Sequence, residues 1–173
     1  DTTMATGEIW GRAQTEWLLA GLKQSTAPVK LIANGTQVVT RSTGGEGHRR
    51  EAQNELHRLI AHIEKHRIDG VIFLSGDRHY SELHFEARDG HPPLLEFTSS
   101  PLQQDQKVEP LQNRPNTFRL WGLKGNSFGL VTVDIPEEGQ GVVRFEVRTE
   151  INTVPVIENT RCSSAWQLSD LQY

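Results

Sequence analysis

Val71-Ile72-Phe73-Leu74 is an unbroken apolar run, followed at once by Ser75-Gly76-Asp77-Arg78-His79-Tyr80. A strand without alternation has no polar face to offer water, so this run belongs in a sheet covered on both sides, the usual setting of parallel strands. Parallel strands need crossover elements between them, which makes the chain an α/β protein. Ligands in open α/β sheets collect beyond the carboxyl ends of the strands. There Gly76 lets the backbone turn, and Asp77 and His79 stand two residues apart. A carboxylate beside an imidazole suits two unlike metal ions, one preferring oxygen and one accepting nitrogen. Spacing alone also admits a plainer reading, with Asp77 capping a turn and His79 a surface histidine.

The flanking pattern agrees with an α/β order in the first half. Trp10, Gln14, Trp17, Leu18, Gly21 and Leu22 recur near every 3.6 residues, which predicts a helix over 9–24 with its indole-bearing face buried, stopped before Pro28. Residues 29–33 and 36–40 read as one buried strand broken at Asn34-Gly35, and 41–47 as a flexible loop. Leu56, Leu59, Ile60 and Ile63 predict a second helix over 48–67, ended by Asp69-Gly70. Later segments change character. Residues 81–87 and 94–98 predict a hairpin around Asp89-Gly90, 101–117 a long surface loop, and 128–135 with 142–149 a second hairpin. The tail from Ile151 carries no assignable element. The organisation expected is one domain, with helix and strand units over 1–80, antiparallel strands over 81–150 and a tail over 151–173.

Composition narrows the function classes. The 18 basic and 22 acidic residues leave a net charge of −4 without blocks, which argues against a nucleic-acid footprint or a polybasic membrane patch. No apolar run is long enough for a transmembrane helix. The lone Cys162 excludes an internal disulfide framework and a cysteine-rich zinc site. A chain beginning at Asp1 with no leader pattern reads as an excised or processed segment.

Four motifs in order carry a family resemblance. Residues 8–30, with Gly11, Gln14, Trp17, Leu18 and Gln24-Ser25, resemble the LGxxQxxWLxxxLxxS segment of PhoD-like alkaline phosphatases and phosphodiesterases. Residues 70–83, GVIFLSGDRHYSEL, resemble that family's metal-binding core; Glu96-Phe97-Thr98-Ser99-Ser100-Pro101-Leu102 resembles its ELTSSPL, and Asn126-Ser127-Phe128-Gly129-Leu130 its xNFGLLxVD. The resemblance implies the C-terminal part of a four-layered α/β/β/α metallophosphoesterase sandwich with a dinuclear site. Where most of that superfamily has Gly-His-x-His, this family has Gly-Asp-x-His, matched by Gly76-Asp77-Arg78-His79. By that carry-over Asp77 binds calcium and His79 ferric iron. A carboxylate is the ligand calcium prefers. Arg78 replaces a commoner valine and either points to solvent or meets a substrate phosphate.

The resemblance also places the family's remaining ligands upstream, so the activity implied, hydrolysis of a phosphate ester, requires the N-terminal half of the same enzyme. The alternative is a non-catalytic remnant or interaction module with the same fold. Family members are mostly exported, which implies a secreted or periplasmic protein. Monoester, diester and lipid substrates stay open. The isolated segment is expected to be inactive and to expose an apolar sheet face.

Asn34 and Gln37 lie near the strand that carries another metal-binding histidine in the wider superfamily, and read as supporting or turn residues. Glu82 matches a family position and is a candidate to orient His79. His62 and His66, four apart on a helix, read as a solvated face. His48-Arg49-Arg50 opens a helix as an anion site would, without the phosphate-loop pattern. No nucleophile elbow surrounds Ser75, Ser81, Ser99 or Ser100. Trp10, Trp17, Trp121 and Trp166 read as core or interface aromatics.

Overall fold

Val71–Ser75 forms a central strand covered on both faces in the computed structural model, which describes residues 7–40, 47–104, 109–110, 118–136, 142–149 and 153–161. Elements are numbered in chain order: α1 Gly11–Gln24, β1 Lys30–Ala33, α2 His48–Glu51, α3 Gln53–His66, β2 Val71–Ser75, β3 Tyr80–Arg88 and β4 His91–Thr98. Then come β5 Glu109–Pro110, β6 Arg119–Lys124, β7 Ser127–Asp134, β8 Val142–Thr149 and β9 Thr153–Arg161. One sheet has six strands in the order β1-β2-β4-β3-β6-β5 and the other has three, β7-β8-β9. β1, β2 and β4 are parallel, whereas β3 pairs antiparallel with both β4 and β6.

The period of two along β2 divides two cores. Phe73 faces the helices, where it meets Leu22, Ile32, Leu56, Leu59 and Ile63; Ile72 faces the second sheet with Leu83, Leu95, Phe97, Val143 and Phe145. Phe97 and Phe145 stack across the two sheets with centroids 4.3 Å apart. Helices, large sheet and small sheet therefore make three layers of the expected sandwich; the second helical layer is not among the described residues. The small sheet covers the apolar face expected to be exposed, through Val143, Phe145 and Val147 of β8 and Val131 of β7, and Thr153–Arg161 adds a third strand to it, β9, that the sequence pattern does not show.

Other expectations are corrected. Residues 36–40 are not a strand, although Val38 and Val39 are buried. Within 101–117, Glu109–Pro110 pairs with β6, a strand the reading missed, while 105–108 and 111–117 lie outside the described residues, as do 41–46 and Trp166. The α1 stripe is rotated: Thr15 and Leu22 are buried, while Trp17 is 72% exposed beside an apolar groove of about 240 Å³ that also borders β1. The second helix breaks at Ala52 and ends earlier than expected, where Arg67 takes a left-handed φ of 50°. Ile68 and Arg67 N–H groups then return to the Ile63 and Glu64 carbonyls, a Schellman-type stop. Gly70 serves a close approach: at φ 71°, a Cβ there would lie 1.9 Å from the Pro28 carbonyl oxygen.

Glu55 on α3 holds α1 in place. It is buried, and its carboxylate accepts the backbone N–H groups of Ile9 (2.8 Å), Trp10 (3.1 Å) and Gly11 (2.7 Å). Those are donors that a helix N-terminus cannot satisfy internally, and the negative charge complements the helix dipole. α1 has no side-chain cap of its own.

Candidate metal centre at the strand ends

Because β1, β2 and β4 are parallel and adjacent, their carboxyl ends form one crest. The Asn34 N–H donates to the Leu74 carbonyl (2.9 Å) and the Ser99 N–H to the Ser75 carbonyl (2.9 Å), so the three exits from the sheet stay side by side. Gly76–His79 leaves β2 from the middle of this crest. Asp77 and His79 both take left-handed φ values, 60° and 56°, which cost a non-glycine residue roughly 1–3 kcal/mol each. Both side chains are exposed. The Asp77 carboxylate makes no hydrogen bond or ion pair among the described residues. The His79 ring nitrogens lie 3.2 and 3.4 Å from Gln104 Nε2. Its backbone N–H donates to Ser100 Oγ at 3.1 Å.

Arg78, between them, donates to the Tyr80 hydroxyl from Nε (3.1 Å) and Nη2 (2.8 Å), with its guanidinium 5.4 Å from the ring centre. Arg119 lies against the same ring at 5.8 Å. The hydroxyl-rich end of β4 adds a second tie, since Ser81 Oγ lies 2.9 Å from Ser127 Oγ and accepts the Ser100 N–H at 3.4 Å.

Below the crest is a buried polar floor. On β3 and β4 the positions facing the helices carry Glu82, His84, Glu96 and Thr98, all buried, opposite one another as Glu82↔Thr98 and His84↔Glu96. Gln37 fills the space above them, donating to Glu82 and to Thr98 Oγ1 (2.8 Å), and Ser75 Oγ lies 2.9 Å from the same Thr98 hydroxyl. Arg119 pairs with the other Glu82 oxygen, and His84 Nδ1 lies 3.6 Å from Glu82 Oε1. Glu96 explains why 36–40 is no strand. Its carboxylate accepts the N–H groups of Val38 (2.7 Å), Val39 (2.9 Å) and Thr40 (3.1 Å), replacing a ladder partner with one side chain.

The other sequence candidates separate from the crest. Glu82 turns to Gln37, Arg119 and His84 rather than to His79. Asn34 Oδ1 accepts from Trp10 Nε1 (2.9 Å) and its amide donates to the Thr36 carbonyl (2.7 Å), so it locks the β1 exit to α1. His48 is wholly buried against Trp10, ring centres 4.0 Å apart, and burial pushes its pKa down to about 4 against the pull of Glu55. Arg49 donates to the Val39 carbonyl (2.7 Å) and Glu86 (2.6 Å), so His48 and Arg49 both serve contacts within the fold. His62 and His66 lie half-buried with ring centres 4.5 Å apart on α3. Sequence reasoning missed Glu55, Glu96, Ser100 and Arg119. For Glu96, a polar residue in an otherwise apolar strand was the available signal; Glu55 on its helix and Ser100 beyond β4 leave none.

The donor chemistry suits a pair of unlike ions: Asp77 offers a hard anionic oxygen and His79 a borderline nitrogen. Among the described residues, no group of three or more His, Cys, Asp or Glu could hold an ion. The sequence matches the family model for PhoD-like phosphatase over residues 1–142. The chain belongs to the PhoD-like phosphatase family. Its fold is similar to a solved structure titled "Structure of PhoD", with a TM-score of 0.60 and 13% identity. The match covers 93% of this PhoD-like chain and 38% of that one, so the chain spans well under half the length of its structural relative. No curated protein matches it. No helix among the described residues is long and apolar enough to cross a membrane.

Proposed function

We propose that this chain carries the last metal-binding turn of a metal-dependent phosphoric ester hydrolase of the alkaline phosphatase and phosphodiesterase type. The observation that carries the reading is the pair of exposed donors, Asp77 and His79, held at left-handed φ on the carboxyl crest of three parallel strands. Strained non-glycine residues kept at a ligand-binding edge are what a functional constraint leaves behind. Asp77 would hold the oxygen-preferring ion, calcium, and His79 the other, ferric iron. When bound, such ions supply Lewis-acid charge that activates water and offsets the charge developing on phosphate during in-line displacement.

The chain's own residues set the surroundings. Arg78, between the two donors in sequence, has its guanidinium anchored on the Tyr80 hydroxyl and adds positive charge near the turn for an anionic ester. Beside the crest, a cavity of about 260 Å³ lined by Leu102, Asn126, Ser127, Phe128 and Arg148 gives room for the organic part of the ester. The remaining metal donors come from the upstream half of the polypeptide, and the enzyme works outside the cytoplasm, secreted or periplasmic. In the intact polypeptide, Asp77→Ala is expected to abolish aryl-phosphate hydrolysis and lower calcium content, and His79→Ala to deplete iron, both measured by elemental analysis. Turnover and metal content unchanged in both variants would refute the ligand roles of Asp77 and His79, whereas an intact parent with neither turnover nor bound metal would leave a non-catalytic module as the correct reading.

A further inference from the structure

We propose that Ser100 is the positioning residue that holds His79 in its left-handed conformation; this rests on the metal-ligand reading of His79. A residue at φ 56° is not held by local preference, so something beyond its own turn must fix it. The described contact that reaches the His79 main chain is the Ser100 hydroxyl, 3.1 Å from its N–H. Ser100 is itself buried and tied down. Its own N–H donates to Ser81 Oγ (3.4 Å), Ser81 Oγ meets Ser127 Oγ (2.9 Å), and the Ser127 N–H donates to the Pro101 carbonyl (2.8 Å).

The geometry gives this hydroxyl a specific task. Ser99 N–H already closes onto Ser75, which fixes where β4 ends relative to β2. One residue on, Ser100 reaches across to the turn that leaves β2 and accepts the His79 N–H. The tie joins β3, β4, the start of β7 and the 76–79 turn through three serine hydroxyls. The imidazole position is therefore set by the second sheet as well as the first. A hydroxyl here acts as acceptor toward His79 and leaves its own hydrogen for a further partner. Alanine removes the acceptor, threonine keeps it, and cysteine offers a weak one.

The test uses the intact polypeptide with Ser100→Ala, Ser100→Cys and Ser100→Thr. Two readouts are taken: hydrogen exchange at the His79 amide, and the rate at which EDTA strips iron. Ser100→Ala is expected to speed His79 amide exchange at least roughly tenfold and to raise the stripping rate roughly tenfold, with Ser100→Cys between and Ser100→Thr near wild type. Should Ser100→Ala fail to fold, the contrast between Ser100→Cys and Ser100→Thr decides. Exchange at His79 unchanged in a folded Ser100→Ala or Ser100→Cys protein overturns the proposal, as does Ser100→Thr behaving like alanine. Amide exchange that responds as expected in a protein holding no iron would instead refute the metal reading of His79 and leave the positioning contact standing.

Discussion

Replacing Glu96 by alanine removes the acceptor for three consecutive buried backbone donors, Val38, Val39 and Thr40, at 2.7, 2.9 and 3.1 Å. The Thr40 hydroxyl loses a 3.1 Å contact too, but it keeps His84 Nδ1 at 3.0 Å. Each buried donor left without a partner costs about 1–3 kcal/mol. Water entering the vacated space can satisfy one of them, and removing a buried charge recovers some desolvation. The net loss expected for Glu96→Ala is therefore about 3–5 kcal/mol, a large part of the roughly 5–15 kcal/mol that keeps a domain folded. Glu96→Gln keeps one carbonyl oxygen but turns an NH₂ toward an N–H donor, so about 1–3 kcal/mol is expected. Urea denaturation measures the total, and hydrogen exchange of the peptide spanning 38–40 localises it. An alanine variant within about 1 kcal/mol of the parent, with protection at Val38–Thr40 unchanged, would refute this account of the segment.

Three further outcomes follow from the packing. Because His48 is buried and its pKa lies near 4 instead of 6.5, the native state refuses a proton that the unfolded chain accepts. Its contribution is complete above about pH 6.5 and falls by roughly 3 kcal/mol as the pH drops to about 4, a slope that His48→Phe should remove from a denaturation series across pH. Gly129→Ala should destabilise by about 1–3 kcal/mol by thermal melting, since the new Cβ would meet Phe145 at 2.7 Å and Ser99 at 3.0 Å. The chain 1–173 by itself should hydrolyse no aryl phosphate above background with calcium and iron added; an active monomer would show that the upstream donors are not needed.

How legible the molecule was depended on whether a residue's partner is near in sequence. The β2 run, the β3–β4 and β7–β8 hairpins and the Asp77-x-His79 turn are local patterns, and each is present in the structure. Val38 and Val39 look like strand residues because they are buried and β-branched; what satisfies their backbone is Glu96, 58 and 57 residues away. Similarly, Trp17 fits the apolar stripe of α1 yet is exposed, and what holds the first turn of α1 is Glu55, 44 residues away from Gly11. β6 and β9 were missed for a different reason: Arg119–Lys124 mixes arginine, glycine and lysine with its apolar residues, and Thr153–Arg161 contains proline and asparagine. At the site, the motif showed which residues face outward but not the serines that hold the turn, since a hydroxyl two strands away leaves no spacing signature.

The floor beneath the crest has a consequence for descent. Gln37, Glu82, Thr98 and Arg119 come from four separate stretches of the chain, the first three buried and Arg119 at their margin, and each satisfies another. Losing any one removes a hydrogen bond or charge partner from the others, so single steps away from this combination pass through a less stable intermediate. Lineages should therefore exchange these four positions as a set or keep all of them. In the turn above, Asp77 and His79 stand in solvent and are free to drift one residue at a time wherever chemistry does not hold them.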